Sequence, residues 1–189
     1  VALVHAMAAQ ADVVVENFRP GVMNRLGLGY ESLLQENPKL IYCAISGFGQ
    51  DGPLRDLPAY DQIIQGMSGV MSITGAPENA PYRVGYPMAD TIGGITAAFA
   101  VAAALADRNR TSGTFIDVSM LEAVMATMGW AVSNHLIAGR EPKPMGNENV
   151  TASPSGTFQT QDGLLNIAAN KQEQFEAVCH VVGLPQLIA

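Results

Sequence analysis

The sequence Pro87-Met-Ala-Asp90-Thr-Ile-Gly93-Gly94-Ile-Thr-Ala-Ala-Phe-Ala-Val-Ala-Ala-Ala-Leu105 sets the architecture of the chain, because one carboxylate precedes a long run of small, apolar residues. Alanine is the strongest helix former, so residues 91–106 are predicted to form a helix. Pro87 keeps the chain extended upstream, which places Asp90 at or near the N-cap. Unpaired N–H groups there would stabilise its ionised form. An aspartate before a helix is most often only a cap. A cap role and a role in binding or chemistry therefore both stay open for Asp90 here.

Two apolar runs indicate strands that are buried on both faces of a parallel sheet. Asp12–Glu16 and Lys39–Ser46 are such runs, and a helical segment at Tyr30–Glu36 lies between them. We therefore predict an α/β fold with a Rossmann-like parallel sheet and flanking helices. Ligands in these sheets bind beyond the carboxyl ends of the strands, so the loops Asn17–Gly21 and Gly47–Pro53 are candidate binding segments.

The later part of the chain adds two helices and a small second domain. Helices are predicted at Tyr60–Thr74 and from Ser119 to about Ala138. Residues 139–155 are rich in Pro, Gly and Asn and lack periodicity, which indicates a linker. The next residues predict a hairpin with an Asp162-Gly163 turn and then a helix. We expect 1–138 to be part of a large domain and 156–189 to begin a small α+β domain.

Composition excludes several classes of partner and site. The net charge of −7 argues against nucleic acid and anionic membrane as general partners. The two cysteines lie in apolar runs, which indicates buried thiols of a reducing, cytoplasmic compartment. The three histidines are scattered, so we predict no metal site. Phosphate-loop, nucleophile-elbow and dinucleotide-binding motifs are absent. Phe18, Arg19 and Arg25 around the first loop give a modest indication of an anionic, nucleotide-containing ligand.

A set of motifs along the chain resembles the family III CoA-transferases. The motifs are Val15-Glu-Asn-Phe-Arg-Pro-Gly21 with Arg25-Leu-Gly27, Asn37-Pro38, Ser46-Gly-Phe-Gly-Gln-Asp-Gly-Pro53 and Ala89-Asp90-x-x-Gly93. Their order and spacing are specific in combination. The family includes formyl-CoA, carnitine-pathway and succinyl-CoA-dependent transferases and the related alpha-methylacyl-CoA racemases.

The resemblance implies an enzyme that moves CoA from an acyl-CoA to a carboxylic acid. It places the family's nucleophilic aspartate at Asp90, which would form an acyl anhydride and then an aspartyl-CoA thioester. It places CoA contacts at Asn17, Phe18, Arg25 and Leu26. From these residues alone, Phe18 could equally be core, Asn17 a turn cap and Arg25 a solvated charge. The coenzyme would be CoA, carried as the acyl-CoA substrate, and the assembly would be an interlocked homodimer.

The resemblance also has limits. Family members are about twice this length, so we expect both ends to be cuts, with a first strand, phosphate-binding residues and most of the small domain lying elsewhere. Pro144–Asn149 stands where formyl-CoA transferases carry a tetraglycine loop, so formyl or oxalate specificity is not implied. A racemase is the alternative, although Tyr60 takes the place of its histidine. A CoA-binding fragment without activity is the third possibility.

Overall fold

The structure, a computed structural model, describes residues 1–149 and 151–188. Val150 in the predicted linker and Ala189 at the end of the predicted small domain lie outside the described residues. The chain forms two compact units. The first comprises Val1–Met71 and Arg83–Pro142, and the second comprises Ser72–Tyr82 and the described residues from Lys143 onward.

The first unit contains a three-stranded parallel sheet. Its strands β1 (Val13–Glu16), β2 (Ile41–Ser46) and β3 (Thr114–Ser119) lie in the order β1-β2-β3. The helices of this unit are α1 (Ala2–Ala8), α2 (Val22–Arg25), α3 (Tyr30–Glu36), α4 (Asp61–Met67), α5 (Met88–Ala106), α6 (Met120–Thr127) and α7 (Trp130–Ala138). A 3-10 helix spans Val70–Ile73. The predicted α/β fold with a parallel sheet and flanking helices is confirmed.

Helices cover both faces of the sheet, as the apolar strands require. On one face, Tyr42 and Ala44 of β2 pack with Ala8 of α1 and Leu33 of α3. On the other face, Cys43 and Val118 pack against Ala97 of α5. The core therefore lies on both sides of β2. The carboxyl end of β2 lies near the first turn of α5.

Helix α5 packs closely against its neighbours because its buried face is made of small residues. A methyl group added at Gly93 would lie 3.0 Å from Met120 Cγ and 3.9 Å from Ile45 Cγ2. Among the described helices, α5 alone is long and apolar enough to cross a membrane by length and composition. Its Ala89 and Ala97 are buried in two clusters of the first unit, so this face serves the core.

Two helices that were predicted as continuous are each broken at a glycine. The first ends at Met67, and Gly69 follows with φ +85°. The second ends at Thr127, and Gly129 follows with φ +50°. Glycine adopts this left-handed region readily, so both positions can reverse the local backbone where other residues would be strained. The periodic apolar pattern continued across both breaks and concealed them.

The second unit carries a hairpin and a helix. Strands β4 (Ser155–Gln159) and β5 (Leu164–Ala168) are antiparallel, and α8 (Gln172–Val181) and a 3-10 helix (Pro185–Leu187) follow. The predicted hairpin is present, and the Thr160 N–H donates to the Gly163 carbonyl at 2.8 Å, so the tight turn is centred on Gln161 and Asp162, one residue before the predicted Asp162-Gly163 position.

Ser72–Tyr82 groups with the second unit and not with the residues around it in sequence. One reason is backbone pairing, since the Gly146 N–H donates to the Gly75 carbonyl at 2.8 Å. The predicted domain boundaries had assigned this segment to the large domain. Those boundaries otherwise stay a prediction.

A buried polar network joins α4 to the segment before α5. Gln65 is fully buried, and its Nε2 donates to Asp61 Oδ2 at 2.7 Å and to the Tyr86 carbonyl at 3.2 Å. Its Oε1 accepts from the Val84 N–H at 2.8 Å. A buried amide is tolerated when its hydrogen-bonding groups are paired, as they are here. The network therefore fixes the chain that leads into α5.

We expect Gln65→Leu to destabilise the protein by about 2–4 kcal/mol, because the Val84 N–H and the Tyr86 carbonyl would lose their partner. Gln62→Leu, the same change on the exposed face of α4, is the control and should alter stability by less than about 0.5 kcal/mol. Urea unfolding of the full-length protein measures both. Equal effects of the two substitutions would show that the network contributes nothing.

Candidate active site

A cleft of about 310 Å³ lies beyond the carboxyl ends of β1 and β2. We call it the Asp90 cleft. It is lined by the loop after β1, the end of β2, a segment before α4 and the start of α5, with lining residues Asn17, Phe18, Arg19, Pro20, Ser46, Gly47, Arg55, Leu57, Ala59, Tyr60, Asp61 and Asp90. The position is the one expected for ligands of parallel sheets.

Asp90 lies in the first turn of α5 and is not its N-cap. The helix begins at Met88, with Pro87 at the N-cap, so the predicted start at residue 91 was wrong. The cap function comes from another helix: Asp61 Oδ1 accepts from the Ala89 N–H at 2.7 Å and from the Asp90 N–H at 3.4 Å. Asp90 is thus left with a carboxyl exposed to the cleft.

The N–H groups at the start of α5 are all occupied. Pro87 has none, Met88 donates to the Tyr86 carbonyl at 2.7 Å, and Asp61 takes the next two. The prediction that unpaired N–H groups stabilise the ionised form of Asp90 is therefore wrong. Partial loss of hydration, and then the neighbouring Asp61 carboxylate, raise the pKa of Asp90 above that of an ordinary aspartate.

Asn17 and Phe18 both line the Asp90 cleft. The Asn17 Nδ2 donates to the Ile45 carbonyl at 2.8 Å, so this side chain ties the loop after β1 to the end of β2. Phe18 is 53% exposed, which rules out a core role in the described chain. Its backbone N–H donates to Glu16 Oε2 at 2.7 Å, which turns the chain at the strand end.

Arg25 and Leu26 lie outside the residues that line the Asp90 cleft. Arg25 Nη1 approaches Gly21, where an added methyl group would lie 3.4 Å from it. The same methyl group would lie 4.0 Å from Arg55 Nη2. Two guanidinium groups therefore approach Gly21, which has φ +80° and no side chain to fill that space.

The end of β2 and the segment after it contain polar side chains that were not predicted individually as site residues. Among the described residues, Ser46 Oγ and Gln50 Nε2 are buried without a hydrogen-bond partner, and Arg55 Nε forms an ion pair with Asp56 Oδ1 at 3.5 Å. Ser46 and Arg55 line the Asp90 cleft. Gln50 and Arg55 line a second cleft of about 370 Å³ with Tyr42 and Phe115, which we call the Tyr42 cleft. All three groups can donate hydrogen bonds, so they suit a ligand that is rich in acceptor oxygens.

The sequence indicated only some of these polar site residues. Ser46 was visible as the end of a buried strand before a glycine-rich loop, the usual place for a ligand contact. The sequence did not indicate Arg55, because no neighbouring residue shows that its side chain lies at the strand ends. Within residues 1–149 and 151–188, no group of three or more His, Cys, Asp or Glu side chains could hold a metal. The absence of a metal from the protein stays a prediction.

The profile of CoA-transferase family III matches residues 1–189. The chain belongs to this family. It is 45% identical over 183 residues to an acetyl-CoA:oxalate CoA-transferase of Acetobacter aceti, covering 96% of this chain and 47% of the relative. It is 44% identical over 184 residues to a succinate–glutarate CoA-transferase of Agrobacterium fabrum, covering 97% and 46%.

Solved structures agree with this assignment. A CAIB/BAIF family protein from Brucella suis matches with a TM-score of 0.87 and 38% identity, over 98% of this chain and 50% of that one. The predicted resemblance to family III CoA-transferases is confirmed. The chain spans about half the length of the curated relatives it matches.

We expect Asp61→Asn to lower the pKa of Asp90, because it removes the neighbouring negative charge while its Oδ1 can still accept from the Ala89 N–H. The pKa should stay above that of an ordinary aspartate, since partial loss of hydration is the larger cause. A carboxyl reacts with carbodiimide when protonated. Labelling of Asp90, followed by mass spectrometry against pH and normalised to Asp107 on the same peptide, should therefore extend to higher pH in the wild type than in the variant. Superimposable profiles would contradict the coupling.

Proposed function

We propose that the protein carrying this chain transfers CoA from an acyl-CoA to a carboxylic acid, with Asp90 as the nucleophile. The observation that carries this proposal is the exposed Asp90 carboxyl in a cleft beyond the strand ends, with its backbone held by Asp61. Family membership and the names of the relatives support transfer as the reaction. A raised pKa also suits a carboxylate nucleophile, since basicity and nucleophilicity increase together.

In the proposed reaction, Asp90 attacks the thioester carbonyl of the donor. A C–O bond forms, the C–S bond breaks, and CoA leaves as a thiolate, which gives a mixed anhydride. The thiolate then attacks the Asp90 carbonyl of the anhydride, so the donor acid departs and an aspartyl-CoA thioester remains. The acceptor carboxylate repeats these steps in reverse and leaves as its CoA ester, which regenerates Asp90.

The residues around the Asp90 cleft fit CoA as a substrate. CoA carries phosphates and amide carbonyls, which are acceptors, and the Arg55 guanidinium and the unpartnered Gln50 Nε2 of the Tyr42 cleft are donors. We propose that Asn17 and Phe18 form the cleft wall along the CoA arm, as the resemblance implies. We propose that Arg25, with Leu26 beside it, joins Arg55 at Gly21 to bind phosphate. An acidic chain would thus bind a polyanion through locally placed arginines.

Small dicarboxylic acids are the acceptors we propose to test first. The relatives named above carry oxalate, succinate and glutarate in their names, and all three are dicarboxylic acids. Other relatives are named for D-citramalate and mesaconate. Oxalate therefore belongs in the screen, although Pro144–Asn149 replaces the tetraglycine loop of formyl-CoA transferases. Exchange of each acid against acetyl-CoA and succinyl-CoA identifies the pair.

Two further features remain proposals from the resemblance and composition. The first is an interlocked homodimer, which light scattering on the full-length protein tests by mass. The second is a cytoplasmic location, for which the two cysteines, both buried free thiols, are the supporting observation. Fractionation of cells expressing the full-length protein would test it.

We expect Asp90→Ala and Asp90→Asn to reduce transfer by at least about 10³-fold while CoA still binds, because the nucleophile is lost and the binding residues are kept. Hydroxylamine added during turnover should convert Asp90 to a hydroxamate that mass spectrometry locates. Asp107→Asn, at the other end of α5, is the matched control and should transfer CoA normally. Label at another carboxyl, or wild-type rates in Asp90→Asn, would end the proposal.

The racemase alternative makes a separate expectation. Racemisation needs a base on each side of the alpha carbon, and Tyr60, which is 75% exposed in the cleft, takes the place of the racemase histidine. A tyrosine phenol is a poor base at neutral pH. A 2-methylacyl-CoA incubated with the full-length protein in heavy water should therefore gain no deuterium at the alpha carbon. Exchange as fast as CoA transfer would favour the racemase, and neither reaction with CoA still bound would favour a non-catalytic protein.

A further inference from the structure

The helix that carries Asp90 lacks one feature that the proposed transfer requires, a free hydrogen-bond donor. When a carboxylate attacks a thioester, negative charge develops on the carbonyl oxygen, and hydrogen-bond donors aimed at that oxygen lower the barrier. A helix N-terminus often supplies such donors. Here the N–H groups of Met88, Ala89 and Asp90 are already taken by the Tyr86 carbonyl and by Asp61. Another donor is therefore needed in the Asp90 cleft.

Ser46 has the properties of that donor. It is the last residue of β2, lines the Asp90 cleft and is only 5% exposed. Its Oγ is buried and has no hydrogen-bond partner in the described chain. A buried hydroxyl without a partner is unfavourable, so such groups are uncommon and call for an explanation. A ligand oxygen in the cleft would provide the missing partner.

The surroundings of Ser46 hold it firmly. The preceding residue, Ile45, contacts the buried face of α5, since a methyl group at Gly93 would lie 3.9 Å from Ile45 Cγ2. The following residue, Gly47, packs so closely on Ala59 that an added methyl group would lie 2.2 Å from Ala59 Cβ. Ser46 is thus fixed between the start of α5 and the segment that leads to Asp61. A donor held in place in this way needs no reorganisation during the reaction.

Asn17 and Arg55, two other side-chain donors of the cleft, suit the role less well. The Asn17 Nδ2 already donates to the Ile45 carbonyl. Arg55 lines both clefts, and its Nε already forms an ion pair with Asp56 Oδ1 at 3.5 Å. Among these three residues, only Ser46 combines burial, an unpaired hydroxyl and a position at the end of the central strand of the described sheet.

We propose that the Ser46 hydroxyl is a catalytic hydrogen-bond donor to the acyl oxygen of the bound thioester. As Asp90 forms its bond to the carbonyl carbon, the carbonyl electron pair moves to the oxygen and the Ser46 O–H donates to it. The pair returns when the C–S bond breaks and the CoA thiolate leaves, so Ser46 keeps its proton throughout. This assignment rests on the proposed transferase function.

The test is Ser46→Ala in the full-length protein. We expect kcat to fall by roughly 10²-fold, the usual effect of losing one such donor, with KM for the acyl-CoA changed less than about 3-fold. The melting temperature should stay the same or rise, because the hydroxyl that is removed has no partner. Ser68→Ala is the matched control. The Ser68 hydroxyl donates to the Gln65 carbonyl at 3.1 Å and accepts from the Val70 N–H, so its loss should lower stability and leave kcat unchanged.

A spectroscopic measurement isolates the hydrogen bond itself. In an Asp90→Asn background, which prevents turnover, an acyl-CoA labelled with ¹³C at the thioester carbonyl should show a lowered carbonyl stretching frequency when bound. Adding Ser46→Ala should return the frequency towards its value in water-free solvent. Ser46→Cys, of similar shape but a weaker donor, should be intermediate and serves if the alanine variant does not fold.

The outcomes separate this inference from the proposed function. Normal kcat in Ser46→Ala, or an unchanged carbonyl frequency, overturns the role of Ser46 while an inactive Asp90→Asn leaves the transferase proposal standing. Full activity in Asp90→Asn instead removes the transferase mechanism, and the role of Ser46 with it. A fall in kcat with unchanged stability and a shifted carbonyl frequency supports both.

Discussion

The site depends on one bond between helices that are far apart in sequence, from the Ala89 N–H to Asp61 Oδ1 at 2.7 Å. It fixes where α5 begins. The N-cap residue, Pro87, has no side-chain acceptor, and Asp61 supplies the acceptor instead. It also places a second carboxylate beside Asp90, which raises the pKa of Asp90. A single interaction therefore sets the position of the proposed nucleophile and contributes to raising its pKa.

The parallel sheet explains why these groups meet at all. The carboxyl ends of β1 and β2 lie side by side, so the loop that carries Asn17 and the loop that follows Ser46 open at the same edge. Small residues then let α5 approach closely enough to bring Asp90 to that edge, as the contacts around Gly93 show. The packing that forms the fold therefore also assembles the site.

Local signals allowed much of this to be predicted. The apolar runs of β1 and β2, the alanine-rich helix and the motif around Asp90 depend on neighbours in sequence, and the predicted fold and family were confirmed. The start of α5 was misjudged because its cap lies 28 residues away, on Asp61. The breaks at Gly69 and Gly129 were missed because an apolar pattern does not reveal a positive φ. Arg55 was missed because side-chain direction after a loop is a tertiary property.

Gln65 and Ser46 show how burial separates structural polar groups from candidate functional ones. Both are almost fully buried. The Gln65 amide has three partners and holds the chain before α5. The Ser46 hydroxyl has none in the described chain, and Ser46 lines the Asp90 cleft. Folding gains nothing from an unpaired buried hydroxyl, and Ser46 lines the same cleft as Asp90, which is why we propose that its partner arrives with the substrate.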